Sequence, residues 1–114
     1  MVDDNQVFLA SARRLLERQG LTIVGVASTS ADALREAETL RPDLVLVDVS
    51  LGEEDGFELA QRLVADRPRE ATVILISTRS EGDLTDLVLR SPAAGFLAKS
   101  ELSADAIRTL LDAG

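Results

Sequence analysis

The chain has 114 residues, of which 12 are Lys or Arg and 20 are Asp or Glu, so its formal net charge is −8. A single domain this acidic repels a phosphate backbone and is a poor candidate for direct nucleic-acid binding. Cysteine and histidine are absent, which excludes disulfides, thiol nucleophiles and Cys- or His-based metal sites. The sequence has no apolar run of about 18 residues and no signal-peptide pattern at its start. These features predict a cytoplasmic domain that does not insert into a membrane.

Four short apolar runs, rich in Val and Ile, predict strands that are buried on both faces of a sheet. Gly20 and Pro42 end the first two predicted helices, and Ser30 and Ser103 are candidate N-terminal caps for the second and the last. In chain order, the predicted strands are Leu21–Ala27, Leu44–Val47, Val73–Ile76 and Gly95–Ala98. Apolar residues with helical spacing predict helices around Phe8–Leu16, Ala33–Leu40, Phe57–Val64, Leu84–Val88 and Ile107–Leu111.

The alternation of strands and helices predicts an α/β domain, doubly wound, with a parallel sheet and helices on both of its faces. Met1 and Val2 stand directly before an acidic pair. If these two residues are the end of a strand, the order is (βα)5 with a truncated first strand. No linker, repeat or low-complexity stretch divides the sequence. We therefore expect residues 1–114 to form one domain, with no output domain in the chain.

Polar side chains follow the predicted strands at the edge of the sheet where doubly wound folds bind ligands. Asp3 and Asp4 follow the first strand, Asp48 follows the third, and Ser77 and Lys99 follow the last two. Carboxylates this close repel one another, so a cation should neutralise them, and Mg²⁺ prefers oxygen ligands of this kind. Together with a lysine ammonium and a serine hydroxyl, the metal would form a socket for a phosphoryl group, with a carboxylate as the nucleophile.

Each of these residues alone has an ordinary structural explanation, because Asp is common in turns and helix caps and a single Lys is usually a solvated charge. Asp3 and Asp4 could simply cap the first helix. Asp48 is harder to explain in this way, because apolar residues lie on both sides of it. The occurrence of these five polar residues at the ends of every predicted strand except the second favours a functional site.

Four segments of the chain match, in the same order, the motifs of one protein family. Val2-Asp3-Asp4 matches an acidic pair, and Arg41–Leu59 is very similar to a phosphoacceptor segment. Ile76-Ser77 matches a switch hydroxyl, and Gly95–Lys99 matches a lysine motif with an aromatic residue three positions before the lysine. The chain therefore resembles the CheY-like receiver domains of two-component response regulators over its whole length. The resemblance implies a flavodoxin-like five-stranded sheet with strand order 2-1-3-4-5.

The resemblance also implies an acceptor and a metal site. Asp48 would be the sole phosphoacceptor. Asp3, Asp4, Asp48 and the backbone carbonyl of Ser50 would hold Mg²⁺ as the cofactor.

The remaining motif residues would respond to the phosphoryl group. Ser77 and Lys99 would contact it, and Ser77 and Phe96 would move together as a switch. Ser50 and Arg79, two positions beyond the acceptor and the hydroxyl, would tune the lifetime of the phosphoryl group.

The resemblance implies partners as well. The donor would be a histidine kinase or a phosphotransfer protein, because this chain has no histidine. The domain would catalyse its own phosphorylation and dephosphorylation without a turnover substrate, so we do not expect an enzyme. A face built from the fourth helix, the fifth strand and the fifth helix would bind an unidentified downstream protein or form a homodimer. We expect this face to carry Leu84, Leu87, Val88, Phe96 and Ile107.

Three alternatives remain open at the level of the sequence. A phosphohydrolase of the haloacid-dehalogenase type would need a second Asp two residues after its nucleophile, where this chain has Ser50. A phosphorylation-independent, flavodoxin-like interaction module is disfavoured by the complete acidic set with Ser77 and Lys99. The chain could also be the receiver portion of a DNA-binding response regulator.

Overall fold

The computed structural model describes residues 1–66, 72–78 and 85–113. The strands are β1 (Leu44–Asp48), β2 (Ser50–Leu51), β3 (Glu54–Asp55), β4 (Thr72–Ser77) and β5 (Gly95–Ala98). The helices are α1 (Gln6–Arg18), α2 (Ser30–Leu40), α3 (Gly56–Asp66), α4 (Thr85–Arg90) and α5 (Ala104–Ala113), and a single 3₁₀ turn spans Lys99–Glu101. No helix in the described ranges combines the length and the apolar character that a bilayer crossing requires.

Strands β1, β4 and β5 pair in parallel, in that order across the sheet. Val47 lies opposite Leu75, and Leu75 lies opposite Phe96. Because the strands run in the same direction and in register, their carboxyl ends reach the same edge of the sheet. Asp48 is the last residue of β1 and Ser77 is the last residue of β4, so both lie at that edge.

The first strand is reduced to Val2, which forms a parallel bridge with Ala27 on one side and with Val47 on the other. The Val2 N–H donates to the carbonyl of Leu46 at 2.7 Å, and its carbonyl accepts the N–H of Asp48 at 2.9 Å. The spatial order is therefore Ala27, Val2, β1, β4 and β5. This arrangement confirms the predicted order 2-1-3-4-5 with a truncated first strand.

The regular strand predicted for Leu21–Ala27 is wrong, since Ala27 alone forms a bridge in this segment. The N–H of Ala27 donates to the carbonyl of Met1 at 2.9 Å, and the N-terminal ammonium of Met1 donates to the carbonyl of Gly25 at 3.1 Å. The short first strand therefore pairs only with the carboxyl end of the segment 21–27. Within the described chain, residues 21–24 have no neighbouring strand to pair with. Apolar composition alone is not sufficient for them to form a hydrogen-bonded strand.

Both faces of the sheet are covered by helices, α2 and α3 on one side and α1 and α5 on the other. Successive residues of a strand point to opposite faces. Val47 accordingly packs in the first apolar layer, and its neighbour Leu46 packs in the second with Leu16 of α1 and Ile107 of α5. Burial on both sides explains why the strands read as continuous apolar runs rather than alternating ones.

The ends of three helices lie within two residues of the predicted signals. Gly20 follows α1 with φ of +97°, a conformation that favours glycine. The hydroxyl of Ser103 caps α5 by accepting a backbone N–H three residues further on, as predicted. The cap of α2 is Thr29 rather than Ser30, because the Thr29 hydroxyl accepts the N–H of Asp32 and Ser30 is already helical. Pro68 and Leu84, predicted to end α3 and to open the fourth helix, lie outside the described residues.

A short antiparallel hairpin, β2–β3, connects β1 to α3, and the sequence analysis did not predict it. Ser50 pairs with Asp55 across the hairpin. Gly52 lies in its turn with φ of +61°, again a conformation that glycine adopts most easily. Two-residue strands are too short to produce a periodic signal. The hairpin returns the chain beneath Asp48, where Gly56 begins α3.

We predict that Gly56→Ala lowers the free energy of unfolding by about 1–3 kcal/mol, the usual cost of forcing extra atoms into a packed site. A Cβ at Gly56 would lie 1.9 Å from the carbonyl oxygen of Asp48 and 2.7 Å from the Cα of Val49, and both neighbours are backbone atoms. Urea denaturation measures the change. Gly95→Ala is the matched control, because its Cβ would meet the movable side chain of Leu110. Equal losses in the two variants would contradict a backbone clash at Gly56.

Candidate functional site

An acidic cluster lies where the first strand and β1 end. Asp3, Asp4 and Asp48 each bring a carboxylate oxygen within 4.8 Å of the other two. Parallel pairing causes this approach: Val2 is level with Val47, so the next residues of both strands lie side by side. Asp3 is 0% exposed and Asp48 is 5% exposed, whereas Asp4 is exposed to solvent. The sequence prediction that these acids meet at one edge of the sheet is confirmed as geometry.

Lys99 directly follows β5 and reaches back into this cluster. Its Nζ lies 2.5 Å from Oδ2 of Asp3 and 3.1 Å from Oδ2 of Asp48. Burial by itself lowers the pKa of Lys99, but hydrogen bonds to the two carboxylates outweigh that effect and raise its pKa above the usual value. The ammonium also lies 4.4 Å from the ring centroid of Phe8, within the range of a cation–π contact. Lys99 is therefore a fixed positive charge at neutral pH.

Asp48 is held through both of its carboxylate oxygens. Oδ1 accepts the backbone N–H of Ser50 at 3.1 Å, and Oδ2 accepts a hydrogen bond from Lys99. Burial raises the pKa of Asp48 and the charge of Asp3 raises it further, whereas the Ser50 N–H and Lys99 act in the opposite direction. The net effect is a raised pKa, so the Asp48 carboxyl holds a proton more readily than one in water.

The cluster has the composition of a binding site for a hard divalent cation. Three carboxylates face one ammonium, which leaves a formal charge of −2. Oδ2 of Asp3 is buried, and apart from its close approach to Lys99 it has no hydrogen-bond partner among the described residues. Mg²⁺ would neutralise this charge and use the carboxylate oxygens as ligands. The residues present therefore fit the metal that the sequence predicts.

Ser77 and Phe96 lie at two levels of the neighbouring strands. Ser77 is 2% exposed and lies opposite Ala98, the residue before Lys99, so it belongs to the same edge as Asp48. Phe96 is 8% exposed and packs in the apolar layer against α2 and α3. The structure thus places the predicted switch hydroxyl at the rim and the predicted switch aromatic in the core below it.

Of the two residues predicted to tune the phosphoryl lifetime, only one lies in the part of the chain that the structure describes. Ser50 is exposed on the hairpin and contacts Asp48 through its backbone N–H. Arg79 lies outside the described residues.

Sequence reasoning missed two residues around the site. Phe8 contacts Lys99, yet its helical spacing assigned it only to the apolar stripe of α1. Glu54 accepts the backbone N–H of Ser30 at 3.0 Å, so the hairpin next to Asp48 is tied to the first turn of α2. No local signal marks either contact, because each depends on how separate elements pack.

The face formed by α4, β5 and α5 differs in part from the prediction. Ile107 is 1% exposed and packs in the core, so it cannot carry a surface contact, and Phe96 is nearly as buried. Val88 is half-buried, and Leu89 is 77% exposed. Leu84 and the side chain of Leu87 are outside the described part of the structure.

The chain is similar to curated and structurally characterised response regulators. It is 35% identical over 100 residues to response regulator UvrY of Escherichia coli strain K12, covering 87% of this chain and 45% of that protein. It is 30% identical over 100 residues to response regulator GacA of Pseudomonas aeruginosa, covering 87% and 46%. The chain therefore spans about half the length of the curated relatives it matches.

Solved structures show the same fold. The signal receiver domain of a modulated diguanylate cyclase from Desulfovibrio desulfuricans G20 superposes with a TM-score of 0.80 at 33% identity, covering 98% of this chain and 87% of that one. A response regulator protein from Burkholderia pseudomallei superposes with a TM-score of 0.81 at 26% identity, covering 96% and 63%. That structure contains a phosphorylated aspartic acid, a calcium ion and citrate.

A family model described as the response regulator receiver domain matches residues 1–112. The match covers every motif described above, from the acidic pair to the last helix. The chain belongs to the response regulator receiver domain family.

Proposed function

We propose that this receiver domain is a phosphorylation-controlled signalling switch, in which Asp48 accepts a phosphoryl group from a histidine kinase or a phosphotransfer protein in a Mg²⁺-dependent reaction. The observation that carries the proposal is the environment of Asp48. It ends a buried strand beside two further carboxylates, with a lysine ammonium 3.1 Å from its Oδ2. A purely structural Asp would not need this surplus of negative charge, which costs stability.

The transfer needs little from the protein beyond position and charge. A carboxylate oxygen of Asp48 forms a bond to phosphorus while the bond from phosphorus to the donor's imidazole nitrogen breaks, and the imidazole leaves. The product is an acyl phosphate on Asp48. Lys99 then pairs with phosphoryl oxygens, because its raised pKa keeps it charged, and Ser77 at the same edge donates its hydroxyl to another. Water reverses the modification, so the domain has no turnover substrate.

The carboxylates of Asp3, Asp4 and Asp48 and the backbone carbonyl of Ser50 would hold Mg²⁺. When bound, the ion supplies positive charge that offsets both the acidic cluster and the incoming phosphoryl group. Calcium and a phosphorylated aspartic acid occur together in the related Burkholderia pseudomallei structure, which supports a metal beside the acceptor here.

The proposed output is a protein contact controlled by the phosphoryl group. Ser77 and Phe96 would couple the rim to the face formed by α4, β5 and α5, and Leu89 is its most exposed apolar side chain among the described residues. This face would bind the downstream target or form a homodimer. Ser50 and Arg79 would set how long the phosphoryl group lasts. A cytoplasmic location, as predicted from the sequence, agrees with a kinase partner.

We predict that Asp48→Asn abolishes phosphate incorporation from a small acyl phosphate in the presence of Mg²⁺, because an amide cannot form the acyl phosphate. Intact-protein mass spectrometry measures the added mass. Asp43→Asn is the matched control, since Asp43 is exposed just before the opposite end of β1 and should leave labelling unchanged. Equal labelling of the Asp48→Asn variant would show that the acceptor is elsewhere. Unlabelled parent protein would favour the phosphorylation-independent module.

We predict that the same Asp48→Asn substitution stabilises the metal-free fold at neutral pH by about 1 kcal/mol, as removal of a like charge from a crowded site does. The pKa of Asp48 is raised in the folded state by burial and by Asp3, so its charge opposes folding above that pKa. The gain should disappear as the pH falls below about 4, the ordinary pKa of an aspartic acid, because the parent carboxyl is then protonated in both the folded and the unfolded state. Urea denaturation in a chelating buffer measures both values. A loss of stability at neutral pH would mean that the pairing with Lys99 outweighs the repulsion.

We predict that Mg²⁺ raises the melting temperature of the parent protein by a few degrees and that Asp4→Asn removes this effect. A ligand that binds only the folded state stabilises it by linkage, and Asp4 is the exposed member of the cluster. Glu53→Gln removes an exposed charge from the neighbouring turn and should retain the full response. An Asp4→Asn protein that responds to Mg²⁺ like the parent would place the metal site elsewhere.

A further inference from the structure

The ammonium of Lys99 has an aromatic neighbour that the proposed phosphoryl transfer does not use. Lys99 is the only lysine of the sequence, and its side chain is 12% exposed. Its Nζ contacts Oδ2 of Asp3 and Oδ2 of Asp48, and the ring centroid of Phe8 lies 4.4 Å away. The two carboxylates take two of the three N–H donors of an ammonium, and the face of a ring can accept another. The charge is therefore enclosed by two carboxylates and one aromatic ring.

The turn that opens α1 fixes Phe8 and Asp3 relative to each other. Oδ1 of Asp3 accepts the backbone N–H of Asn5 at 2.9 Å, and Oδ1 of Asn5 accepts the backbone N–H of Phe8 at 3.1 Å. The contacts of Lys99 with Phe8 and with Asp3 complete a closed circuit of four residues. Lysine has a long, flexible stem, so this circuit determines where its charged end lies.

The aromatic character of Phe8 matters in addition to its size. An aliphatic side chain at this position would shield the ammonium from water without offering an interaction in return. The face of an aromatic ring carries partial negative charge and attracts a cation within about 6 Å of its centroid. Phe8 is also half-buried against the apolar layer that includes Leu16 and Ile107. The core therefore holds the ring in place, and the ring in turn attracts the charge of Lys99.

The position of Lys99 before the reaction affects how well the reaction proceeds. In the function proposed above, its ammonium pairs with the phosphoryl oxygens on Asp48. Phosphoryl transfer depends chiefly on positioned positive charge. A charge that is fixed before the reaction does not have to be reorganised while the reaction takes place. An ammonium that moved away into water would lose this advantage, and the ring of Phe8 opposes that movement.

We propose that Phe8 is a positioning residue for the phosphorylation of Asp48, because its ring holds the ammonium of Lys99 in place by a cation–π contact. Phe8 acts through Lys99 and needs no contact of its own with Asp48. This inference rests on the proposed function, since it assigns a role in that same reaction.

Replacement of Phe8 by phenylalanines with an increasing number of ring fluorines, up to the pentafluoro form, tests the electrostatic contribution. Fluorine withdraws electrons from the face of the ring, while the side chain stays apolar and similar in shape. We expect the rate of phosphorylation by acetyl phosphate at fixed Mg²⁺ to fall along the series, by about three- to tenfold in total, the strength of a partly desolvated cation–π contact. Intact-protein mass spectrometry measures the rate. The melting temperature should not fall, so a loss of packing would be recognised.

Ordinary substitutions provide the matched controls. Phe8→Leu should slow phosphorylation about as much as the pentafluoro ring does, and Phe8→Tyr should restore the parent rate because it keeps the aromatic face. Phe57→Leu makes the same change at another half-buried phenylalanine, which packs in the apolar layer on the other side of the sheet, and should leave the rate unchanged. The fluorinated series keeps the test decisive if Phe8→Leu lowers the stability of the fold.

A spectroscopic measurement tests the contact without any phosphorylation. Because Lys99 is the only lysine, protein labelled with isotopes in lysine alone gives the signals of this one side chain. We expect the ring current of Phe8 to shift the ε-methylene protons of Lys99 upfield and Phe8→Leu to remove that shift. Identical lysine signals in the two proteins would overturn the proposal.

The rates distinguish a failure of this proposal from a failure of the proposed function. A parent protein that is phosphorylated at a rate independent of ring fluorination would overturn the role of Phe8 alone. A parent protein that acetyl phosphate does not label would overturn the proposed function, and the role of Phe8 with it.

Discussion

Parallel register at one edge of the sheet is the constraint on which the site depends. Val2 bridges Val47, so the residues that follow, Asp3 and Asp48, are forced side by side in a place with little water. Their repulsion is not relieved by distance, because both backbones are fixed by the same pair of hydrogen bonds. Lys99 reaches both carboxylates from β5 and removes part of the excess charge. The remaining negative charge makes this edge attractive to a divalent cation.

The backbone next to Asp48 is as tightly constrained as the charged side chains around it. The hairpin turns at Gly52 and brings the chain back so closely that Gly56 lies against the carbonyl of Asp48. This return fixes the Ser50 N–H on Oδ1 and leaves Oδ2 to Lys99. The orientation of the Asp48 carboxylate is thus set by main-chain geometry, and the side chains around it supply mostly charge.

The sequence was sufficient for those features that depend on one strand end at a time. Polar residues directly after apolar runs marked Asp3, Asp48 and Lys99, because parallel strands must deliver their ends to one edge. Features that depend on how one segment pairs or packs with another could not be predicted from the order of residues at one strand end. The segment 21–27 has strand-like composition, but its backbone forms hydrogen bonds with Met1 and Asp3 only at its carboxyl end. Likewise, Thr29 and Ser30 are both good caps, and the choice between them depends on the path of the chain into α2.

The contacts of Phe8 and Ile107 show that side-chain packing between elements is also not predictable from the sequence pattern. Helical spacing placed both residues on apolar stripes, which is correct for each. It does not reveal that Phe8 lies against the ammonium of Lys99 or that Ile107 faces inward rather than toward a partner. Those outcomes depend on the rotation of each helix about its own axis, which is set by the sheet beneath it.

The single bridge at Val2 has a consequence for how the site fails. Asp3 and Asp4 stay beside Asp48 through the few backbone hydrogen bonds that Val2 and Asp3 make with the sheet, whereas Asp48 belongs to a strand of the core. Segments held by few hydrogen bonds open locally at a free energy far below that of global unfolding. Opening at Val2 would separate two of the three carboxylates from the third while the rest of the sheet stays folded. The acidic cluster should therefore come apart on warming before the sheet melts.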